Sequence, residues 1–587
     1  MVHATFGATL GNDGATFRLW APAAKRVEVM LDIPHEMQRA DDGWFATTVA
    51  TATAGTHYRF RIDGGTQVPD PASHYQPDGV FGPSEVIDHG SYRWRASEWC
   101  GRPWSETIIL EAHVGTFTAA GTYRAMIEKL DHLAATGITA LELMPLADFP
   151  GRRNWGYDGV LWSAPAGIYG RPDDLKALID EAHLRGLMVF LDVVYNHFGP
   201  EGNFLGSYAP AFFSPVPTPW GNAIDYRIPQ VRQFAIQNAL SWLSNYRFDG
   251  LRLDAVHAIV EPGNPPLLAE LSRQVGRLAA TTRRAIHLIL ENDDNRATLL
   301  DPLTDPPDGR YRAQWNDDYH HAWHVLLTGE STGYYQDYRD PCRDIAHALG
   351  SGFIYQGEAS SHREGACRGE PSRNLPPTAF VSFLQNHDQI GNRAFGDRLE
   401  TIAKPAAMEA ALAITLLAPM PPMLFMGEEW GSRAPFPFFC DFAGDLSEAV
   451  RQGRRREFRA AYETHGDEIP DPLNEATFHG ARLDWSELAS PAGHKRLSLV
   501  RRLLTVRKER IVPHLAAARF DDAQVTATGL ISARWRLREI GSLVLLANLS
   551  EAAVPAPEQP PSGEPIWGNR DLDMIPPWSV VWTMEGR

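Results

Sequence analysis

Charged side chains follow short apolar runs at four points of the chain, and together they could cleave a glycosidic bond. The four runs are "LDVVYNH" with Asp192 and His197, "GLRLDAVH" with Arg252 and Asp254, "LILEN" with Glu291, and "FLQNHD" with His387 and Asp388. Acids with flanking histidines suit glycoside hydrolysis, in which one carboxylate attacks and a second carboxyl group supplies a proton. The pattern therefore predicts an acid-based hydrolase site.

The spacing of Arg252 and Asp254 indicates which acid attacks. Side chains two positions apart on a strand point to the same face, so the arginine lies beside the carboxylate, lowers its pKa and orients it. Glu291 should face the Asp254 charge in a partly desolvated cleft, which raises its pKa and keeps it protonated. We expect the two carboxyl groups to be separated by roughly 5 to 5.5 Å, as in retaining enzymes. The residues expected to hold sugar hydroxyls are Asp388, His197 and His387.

Structural roles are one alternative for these residues. Asp192 or Asp388 could cap the helix that follows it. Arg252 and Asp254 could form a buried ion pair, although such pairs are at best weak stabilisers. Neither role explains why acids gather at the ends of several strands.

A metal site is the second alternative. Its ligands would be Asp192, His197, His387 and Asp388. The usual His-x-His pair of a metallohydrolase barrel is missing, because "EAHVGTF" on the first strand offers only His113. The chain also shows no calcium-binding loop signature of the EF-hand type, and we predict no required cofactor.

Alternating strand-like and helix-like segments in the middle of the chain predict a (β/α)8 barrel, an α/β TIM barrel fold. The strand candidates are 108–113, 140–144, 188–194, 250–254, 287–291, 311–315, 380–384 and 423–426, and the helix candidates are 123–135, 173–185, 231–246, 267–279 and 406–417. Residues at the carboxyl ends of such strands meet in one cleft, which would bring the charged ends together. An open, doubly wound sheet is the alternative fold.

Short alternating runs flank the barrel. "ATFRLWAP", "RVEVMLD" and "HYRFRIDG" predict an immunoglobulin-like β-sandwich at the N-terminus, and "WSVVWTME" belongs to a predicted C-terminal β-domain. The predicted domains are an N-terminal β-sandwich over 1–98, a catalytic barrel with insertions over 104–512 and a C-terminal β-sandwich over 513–587.

The composition limits the partners. The formal net charge of −17 would repel a phosphate backbone, so we expect no nucleic acid partner. The chain shows no secretory signal and no apolar segment of the eighteen or so residues that suggest a span, so we expect no membrane and a cytoplasmic location. The four cysteines are scattered without CxxC spacing, which predicts free and mostly buried thiols.

At its charged strand ends the chain resembles the α-amylase family of retaining glycoside hydrolases and transglycosylases. "DVVYNH", "GLRLDAVH", the Glu291 strand end and "FLQNHD" are similar to the four characteristic segments of that family, in the same order. The resemblance implies that Asp254 is the nucleophile, Glu291 the general acid/base and Asp388 the transition-state stabiliser. The residues that it places around the cleaved glucose are Tyr157, Asp192, His197, Arg252 and His387.

Longer stretches resemble one branch of that family, the maltooligosyltrehalose trehalohydrolases. These stretches are "DPASHYQPDGVFGPSEV", "NWGYDGV", "VYNHFGPEGNFLG" and "MGEEWGSRAPFPFFCDF". The resemblance implies a maltooligosyltrehalose substrate, hydrolysis of the α-1,4 bond next to its terminal trehalose, a maltooligosyltrehalose synthase as functional partner, and no required ion. The alternatives are a 1,4-α-glucan branching enzyme, which shares the barrel chemistry, and a glucan-binding protein with an inactive barrel.

Loops after the second, seventh and eighth strands are expected to bind the rest of the substrate. "NWGYDGV" should place Trp155 and Tyr157 near the rim of the cleft, where a ring can lie against a sugar. The loops after the seventh and eighth strands, "QIGNRAFGDRL" and "GEEWGSRAPFPFF", should fit the kinked trehalose unit. The residues expected to do so are Glu428, Glu429, Trp430 and Arg433.

Overall fold

A barrel forms the centre of the molecule, with a β-sandwich before it and a β-domain after it. The computed structural model describes residues 5–259, 266–304, 308–527, 529–537, 541–559, 561–570 and 573–586. One cluster of buried apolar side chains extends through all three parts of the chain, from Phe6 to Met584. The three parts therefore share contacts rather than standing apart.

Two antiparallel sheets form the N-terminal β-sandwich. One contains Gly7–Gly11, Gly14–Trp20, Trp44–Val49 and Gln38–Arg39, and the other contains Pro34–Glu36, Val27–Met30, His57–Ile62 and Gln67–Val68, with Ser84–Glu85 also paired to His57–Ile62. In the strand "GATFRLW", Phe17 and Leu19 are buried while Thr16 and Arg18 are half-buried. This alternation is the two-residue period of a strand with one face on a core, and it confirms the predicted sandwich.

Eight parallel strands form the barrel. They are β1 (Ile109–Ala112), β2 (Ala140–Leu143), β3 (Met188–Val193), β4 (Gly250–Leu253), β5 (His287–Leu290), β6 (Ala313–Trp315), β7 (Phe380–Val381) and β8 (Met423–Phe425). β8 pairs with β1, and a parallel bridge between Ser382 and Pro422 joins the ends of β7 and β8. The sheet is closed, so the predicted barrel is confirmed and the open, doubly wound alternative is wrong.

Most residues of the barrel strands are apolar because side chains fill the interior and helices cover the outside. Interior side chains such as Phe190, Ile289 and Trp315 form a buried cluster of their own. This apolar filling lies below the charged residues at the carboxyl ends of the strands, and the charges are left to line the cleft above it.

Helices connect the barrel strands and form its outer layer. The α-helices of the described residues are Val114–Phe117, Tyr123–Ile127, Leu130–Thr136, Pro172–Leu184, Leu205–Tyr208, Pro229–Asn245, Pro266–Thr282, Asp317–Thr328, Pro341–Ser351, His387–Gly391, Leu399–Ile402, Pro405–Leu417, Gly444–Glu457, Arg459–His465, Glu475–Gly480 and Pro491–Val506. Proline suits the first position of a helix because its missing N–H is not needed there. The helices that begin this way include those at Pro172, Pro229, Pro341, Pro405 and Pro491.

The predicted helix over 123–135 is divided in the structure. It forms Tyr123–Ile127 and Leu130–Thr136, and between them Glu128 and Lys129 have ψ values of −14° and −7°. These values lie outside the range of a regular α-helix, so the hydrogen-bond ladder is interrupted there.

The C-terminal domain contains a five-stranded antiparallel sheet. Its strands, in order, are Arg519–Ala527, Leu530–Leu537, Gly541–Asn548, Ser579–Glu585 and Glu564–Trp567, and a separate pair joins Val554–Pro555 to Met574–Ile575. The sheet rests on the barrel, where the indole of Trp582 donates to the carbonyl of Ala413 at 3.2 Å. The predicted C-terminal β-domain is confirmed.

Two further expectations concern membranes and thiols. Within the described residues, no helix is both long enough and apolar enough to cross a bilayer. All four cysteines are free thiols, as predicted. The expectation that they are mostly buried is wrong, because Cys100 and Cys367 are exposed, Cys342 is half-buried and only Cys440 is buried.

Candidate active site

Arg252 lies at the centre of the charged cluster. It belongs to β4, whose residues are all buried, and its own side chain has no exposed surface. Its Nη1 donates to both oxygens of Asp192, at 2.9 and 2.8 Å, and to Oδ1 of Asp254 at 2.7 Å. Its Nη2 lies 3.7 Å from Oε2 of Glu291. The guanidinium is also 4.1 Å from the centre of the Trp315 ring, a cation–π contact from β6.

The register of three neighbouring strands brings these acids together. Asp192 on β3 pairs with Arg252 on β4, and Leu253 at the end of β4 pairs with Leu290 at the end of β5. Asp254 and Glu291 are the next residues, so they leave the sheet at the same level of the barrel. The structure therefore brings the sequence-predicted charges of β3, β4 and β5 into one site.

Both carboxylate oxygens of Asp254 have donors. Arg252 donates to Oδ1. Nδ2 of Asn196 donates to Oδ2 at 2.9 Å and to the Asp254 backbone carbonyl at 3.1 Å. A carboxylate held by charge-assisted and neutral hydrogen bonds on both oxygens is fixed in orientation. These donors hold the Asp254 carboxylate beside Glu291 and Asp192.

The backbone bends sharply directly after Asp254. Ala255 has φ 38° and ψ 52°, a left-handed conformation that residues with a Cβ rarely adopt. The bend points the Ala255 N–H at Oε2 of Glu291, with N and O 2.5 Å apart. The Val256 N–H donates to the Glu291 backbone carbonyl at 3.0 Å. The strained turn thus ties the end of β4 to the acid that follows β5.

The protonation of Glu291 follows from its surroundings. Burial raises the pKa of its carboxyl group, the Asp254 charge raises it further, and Arg252 opposes both effects. The net shift is upward. Glu291 can therefore keep a proton at a pH where an ordinary glutamate has lost it.

His387 and Asp388 open a short helix after β7. The side chain of Asn386 caps that helix by accepting from the Asp388 N–H at 2.9 Å. His387 Nε2 lies 3.4 Å from Oδ1 of Asp388, whose side chain is 46% exposed. Desolvation raises the pKa of Asp388, but the neighbouring charge of His387 outweighs it and the pKa is lowered.

Tyr157 and His197 form one wall of the site. Tyr157 donates to Oδ2 of Asp192 at 2.6 Å, and His197 Nε2 donates to the Tyr157 carbonyl at 2.9 Å. Burial raises the pKa of Asp192 to about 7, with Arg252 opposing the shift. The indole of Trp220 stacks on His197 with ring centroids 4.4 Å apart and is 49% exposed. The outer face of Trp220 is therefore open to a ligand.

Trp155 does not lie at the rim as expected. It is 4% exposed, its ring stacks on Phe436 with centroids 5.4 Å apart, and it meets the His387 ring edge-on at 5.5 Å. Its indole N–H donates to the Pro437 carbonyl at 3.3 Å. Because both its faces and its N–H are occupied by protein, Trp155 supports the imidazole of His387 and offers no platform to a sugar.

Glu429 and Trp430 face into the protein, so the prediction that they bind trehalose is wrong. They are 0% and 1% exposed. Glu429 Oε1 lies 3.2 Å from His132 Nε2, and the Trp430 ring contacts His132 and Trp485 with centroids 5.6 and 4.7 Å apart. His132 lies on the outer helix Leu130–Thr136, and Trp485 begins the short helical turn Trp485–Ala489 that precedes the helix Pro491–Val506.

Two glycines explain why this loop turns inward. Gly427 and Gly431 flank the "EEW" turn with φ values of 87° and 71°, which only glycine adopts readily. Glu428 is buried in the same turn and accepts from the Phe425 N–H at 3.0 Å. Arg433 is exposed, and its backbone N–H lies 3.4 Å from Glu487. In the described part of the chain, these side chains make no hydrogen bond to Asp254, Glu291 or Asp388.

Sequence reasoning misses three residues of the site. Glu111 at the end of β1 contacts His387, and an acid near a strand end was a usable signal. Trp315 ends the short strand β6 and reads as ordinary core. Trp220 lies between the strands Phe213–Thr218 and Gly221–Ile224, where the pattern gives no indication of its contact with His197.

Metal binding is the remaining property of the site. No group of three or more His, Cys, Asp or Glu residues in the described ranges is arranged to hold an ion. The proposed absence of a metal or other cofactor from the reaction stays a prediction.

Similar proteins identify the family. The chain is 42% identical over 507 residues to the malto-oligosyltrehalose trehalohydrolase of Deinococcus radiodurans, a match that covers 86% of this chain and 82% of that relative. It is 40% identical to the malto-oligosyltrehalose trehalohydrolase of Rhizobium sp. strain M-11, over 92% and 91% of the two chains. The chain belongs to the malto-oligosyltrehalose trehalohydrolase family. It is thus a glycoside hydrolase of the α-amylase family.

Other comparisons agree with membership of the trehalohydrolase family. Residues 91–209 match the α-amylase catalytic domain, residues 5–76 the carbohydrate-binding module 48 described as the isoamylase N-terminal domain, and residues 518–582 a domain of unknown function, DUF3459. The 1.4 Å crystal structure of a candidate α-amylase from Salmonella typhimurium is 44% identical, with a TM-score of 0.94 over 99% of both chains. A 1,4-α-glucan branching enzyme from Photobacterium profundum is 33% identical over only 42% of this chain and 39% of its own.

Proposed function

We propose that the protein hydrolyses the α-1,4-glucosidic bond next to the terminal trehalose unit of a maltooligosyltrehalose, with retention of configuration, and releases trehalose and a maltooligosaccharide. The observation that carries this proposal is that Asp254 and Glu291 both lie beside the guanidinium of Arg252. The similarity to malto-oligosyltrehalose trehalohydrolases supports the choice of substrate. Two carboxyl groups on one face of a cleft, one ionised and one protonated, are what this hydrolysis requires.

In the first step Asp254 attacks the anomeric carbon. Its ionised carboxylate is oriented by Arg252 and Asn196. Glu291 donates its proton to the glycosidic oxygen as the C–O bond breaks, and trehalose leaves with that proton. The maltooligosyl chain remains bonded to Asp254.

In the second step water releases the maltooligosaccharide. Glu291, now ionised, takes a proton from the water, which attacks the anomeric carbon from the face that trehalose left. The ester bond to Asp254 breaks, both acids return to their starting forms, and two inversions give net retention.

The remaining charged residues would hold the reacting sugar. Asp388 is the exposed carboxylate of the cleft, so we assign it to the sugar hydroxyls, where it stabilises the distorted ring of the transition state. Asp192 with Tyr157, together with His197 and His387, would complete the binding of that ring. Trp220 would add a face for a neighbouring sugar.

The partner and location follow from the same proposal. The substrate carries a trehalose terminus, so a maltooligosyltrehalose synthase must supply it. The four cysteines are unpaired, and we propose a cytoplasmic location, where thiols stay reduced.

A product assay tests the proposal. The protein is incubated with maltotriosyltrehalose and, in parallel, with maltopentaose, and Asp254→Asn serves as the inactive control. We expect trehalose from the first substrate and little cleavage of the second. Equal cleavage of both would refute the specificity, and new α-1,6 branches in amylose would favour a branching enzyme instead.

A further inference from the structure

Glu111 is a buried acid to which the steps proposed above give no role. It lies on β1 and is 1% exposed. Its Oε2 accepts from the backbone N–H of His387 at 3.1 Å, and its Oε1 lies 2.5 Å from Nδ1 of the same residue. Both oxygens of one carboxylate therefore hold one histidine, across the junction where β1 and the loop after β7 meet.

The other ring nitrogen of His387 lies beside Asp388, whose side chain is 46% exposed. Nε2 is buried, 3.4 Å from Asp388 Oδ1, and makes no hydrogen bond within the described residues. The ring cannot turn freely, because Tyr157 stacks on it with centroids 5.0 Å apart and Trp155 meets it edge-on. Nε2 is thus held in place beside the carboxylate that we assign to the sugar hydroxyls.

The two contacts determine what Nε2 can do. A neutral imidazole carries one proton, and the contact with Glu111 places it on Nδ1. Nε2 would then present a lone pair to Asp388 and could not donate to a sugar hydroxyl. Only the doubly protonated ring donates on both sides, to Glu111 and towards the cleft.

Charges around the ring favour that doubly protonated form. Burial lowers the pKa of His387, but the carboxylates of Asp388 and Glu111 outweigh it and hold the pKa well above its usual range. The titratable groups that face or adjoin the ring are Glu111, His113, Glu142, Tyr157, Asp192 and Asp388.

We propose that Glu111 is a positioning residue that keeps His387 doubly protonated, so that Nε2–H donates to a hydroxyl of the sugar that Asp388 also holds. The inference rests on the proposed function in that an α-glucan ring occupies this cleft. It does not depend on whether that glucan ends in trehalose.

Glu142 provides a matched control. It pairs with Glu111 in the register of β1 and β2, is equally buried at 1% exposure, and its two carboxyl oxygens have no hydrogen-bond partner within the described residues. Burial raises its pKa well above the usual range, and the Glu111 charge adds to the shift. Glu142→Gln therefore removes a carboxyl group that is as deeply buried as that of Glu111 but makes no hydrogen bond to His387.

The experiment measures substrate binding in a Glu291→Gln background, where turnover is slow and the catalytic acid no longer titrates. The Kd of maltotriosyltrehalose, and of maltopentaose, is measured by calorimetry at several pH values. Adding Glu111→Gln lowers the His387 pKa, so Nε2–H is lost as pH rises through the lowered value. We expect Kd to rise about tenfold between about pH 6 and pH 8, the loss of one charge-assisted hydrogen bond. Asp192, whose pKa is about 7, titrates over the same range in every variant, so the tenfold rise is measured relative to the Glu291→Gln parent at each pH. With Glu142→Gln, Kd should stay within about threefold of that parent over the range.

A double-mutant comparison separates positioning from general damage to the fold. In a His387→Asn background, Glu111→Gln should add nothing, because the residue through which it acts is gone. If Glu111→Gln does not fold, Glu111→Asp keeps the charge but withdraws the carboxylate, and Kd should rise with pH in the same direction by a smaller factor.

The proposal is overturned if Glu111→Gln weakens binding equally at every pH, if Glu142→Gln has the same effect, or if the losses from Glu111→Gln and His387→Asn simply add. A parent enzyme that releases no trehalose would defeat the proposed function alone, since the binding comparison with maltopentaose would still be decisive for Glu111.

Discussion

At the scale of single residues, the site depends on one buried cation among several acids. Arg252 contacts Asp192, Asp254 and Glu291, yet the three carboxyl groups differ in what surrounds them. Asp254 is held by Arg252 and Asn196, Asp192 by Arg252 and Tyr157, and Glu291 by the Ala255 N–H. At Asp192 and Glu291 burial outweighs the arginine and raises the pKa. Environment, rather than residue type, separates an attacking carboxylate from a proton donor.

The raised pKa of Glu291 predicts the alkaline limit of activity. In the proposed reaction the protonated form donates to the leaving group, so kcat/KM should fall as pH rises through a pKa above the value of about 4.3 for a free glutamate. Glu291→Gln should lower kcat/KM by about 10²- to 10⁴-fold and remove this limb. A maltosyl fluoride, whose leaving group needs no proton, is the control. An equal loss on fluoride and on maltotriosyltrehalose would contradict the role of proton donor.

The exposed ring of Trp220 predicts a binding effect rather than a chemical one. Trp220→Ala removes the ring that stacks on His197. KM should rise about tenfold, which corresponds to the loss of one aromatic contact with the substrate, and kcat should change little. Trp220→Phe keeps a ring and should retain most of the affinity. Steady-state kinetics on both variants decides the matter, and a loss confined to kcat would place Trp220 outside the binding surface.

At the scale of elements, much of the barrel could be predicted because its strands are short apolar runs with a polar end. The predicted strands 250–254 and 287–291 end within one residue of the observed β4 and β5. Their register followed from closure of the barrel, so the meeting of Asp254 and Glu291 at Arg252 could be anticipated. Parallel strands of one barrel place such ends at one rim.

The loop residues could not be predicted in the same way. A polar or aromatic residue in a loop has no periodic neighbour that fixes its direction, and "EEW" turns inward because Gly427 and Gly431 adopt left-handed conformations. Trp155 and Tyr157 are two positions apart in one motif. Trp155 packs against His387 from the protein interior, whereas Tyr157 lines the cleft. The direction of Trp155 depends on contacts with the loop after β8, far along the chain.

The turn after β4 predicts an effect of backbone strain on catalysis. Ala255 has a positive φ and directs its N–H to Glu291. Ala255→Gly should keep the activity and the melting temperature, because glycine adopts this conformation without strain. Ala255→Val should destabilise the protein by about 1 to 3 kcal/mol and lower kcat/KM, since relaxing the turn moves the N–H away. Thermal unfolding and kinetics of both variants check this, and equal behaviour of Gly and Val would rule it out.

At the scale of the whole molecule, the flanking domains support the barrel that holds the site. Arg507 is fully buried and donates to the carbonyls of Leu416, Ala418 and Met420 at the end of the helix Pro405–Leu417. It thereby satisfies carbonyl groups that a helix leaves without partners. Next to it, the C-terminal sheet rests on the same helix through Trp582. The end of this helix is thus completed by Arg507 from the last helical segment of the barrel, and the C-terminal sheet packs beside it.

The N-terminal sandwich covers the helix Pro229–Asn245 and the segment before it. Phe6 meets Phe234 edge-on, with ring centroids 5.1 Å apart, and Trp20 contacts Phe212 at 5.6 Å. The side chain of Gln237 accepts from the Phe6 N–H at 3.0 Å. The sandwich therefore buries aromatic surface of the helix Pro229–Asn245 and of the segment before it, although it supplies none of the acids.

Removal of residues 1–98 should consequently destabilise a barrel whose catalytic residues are all still present. Uncovering Phe212 and Phe234 should cost about 1.5 to 3 kcal/mol for each exposed ring, so we expect a lower melting temperature and aggregation on heating. Gln237→Ala in the full chain is the matched variant, because it loses the hydrogen bond but keeps the apolar cover, and its melting temperature should fall much less. Differential scanning calorimetry of both proteins provides the measurement. A truncated chain that melts with the parent and hydrolyses maltotriosyltrehalose at the parent's rate would show that the sandwich serves substrate capture and not stability.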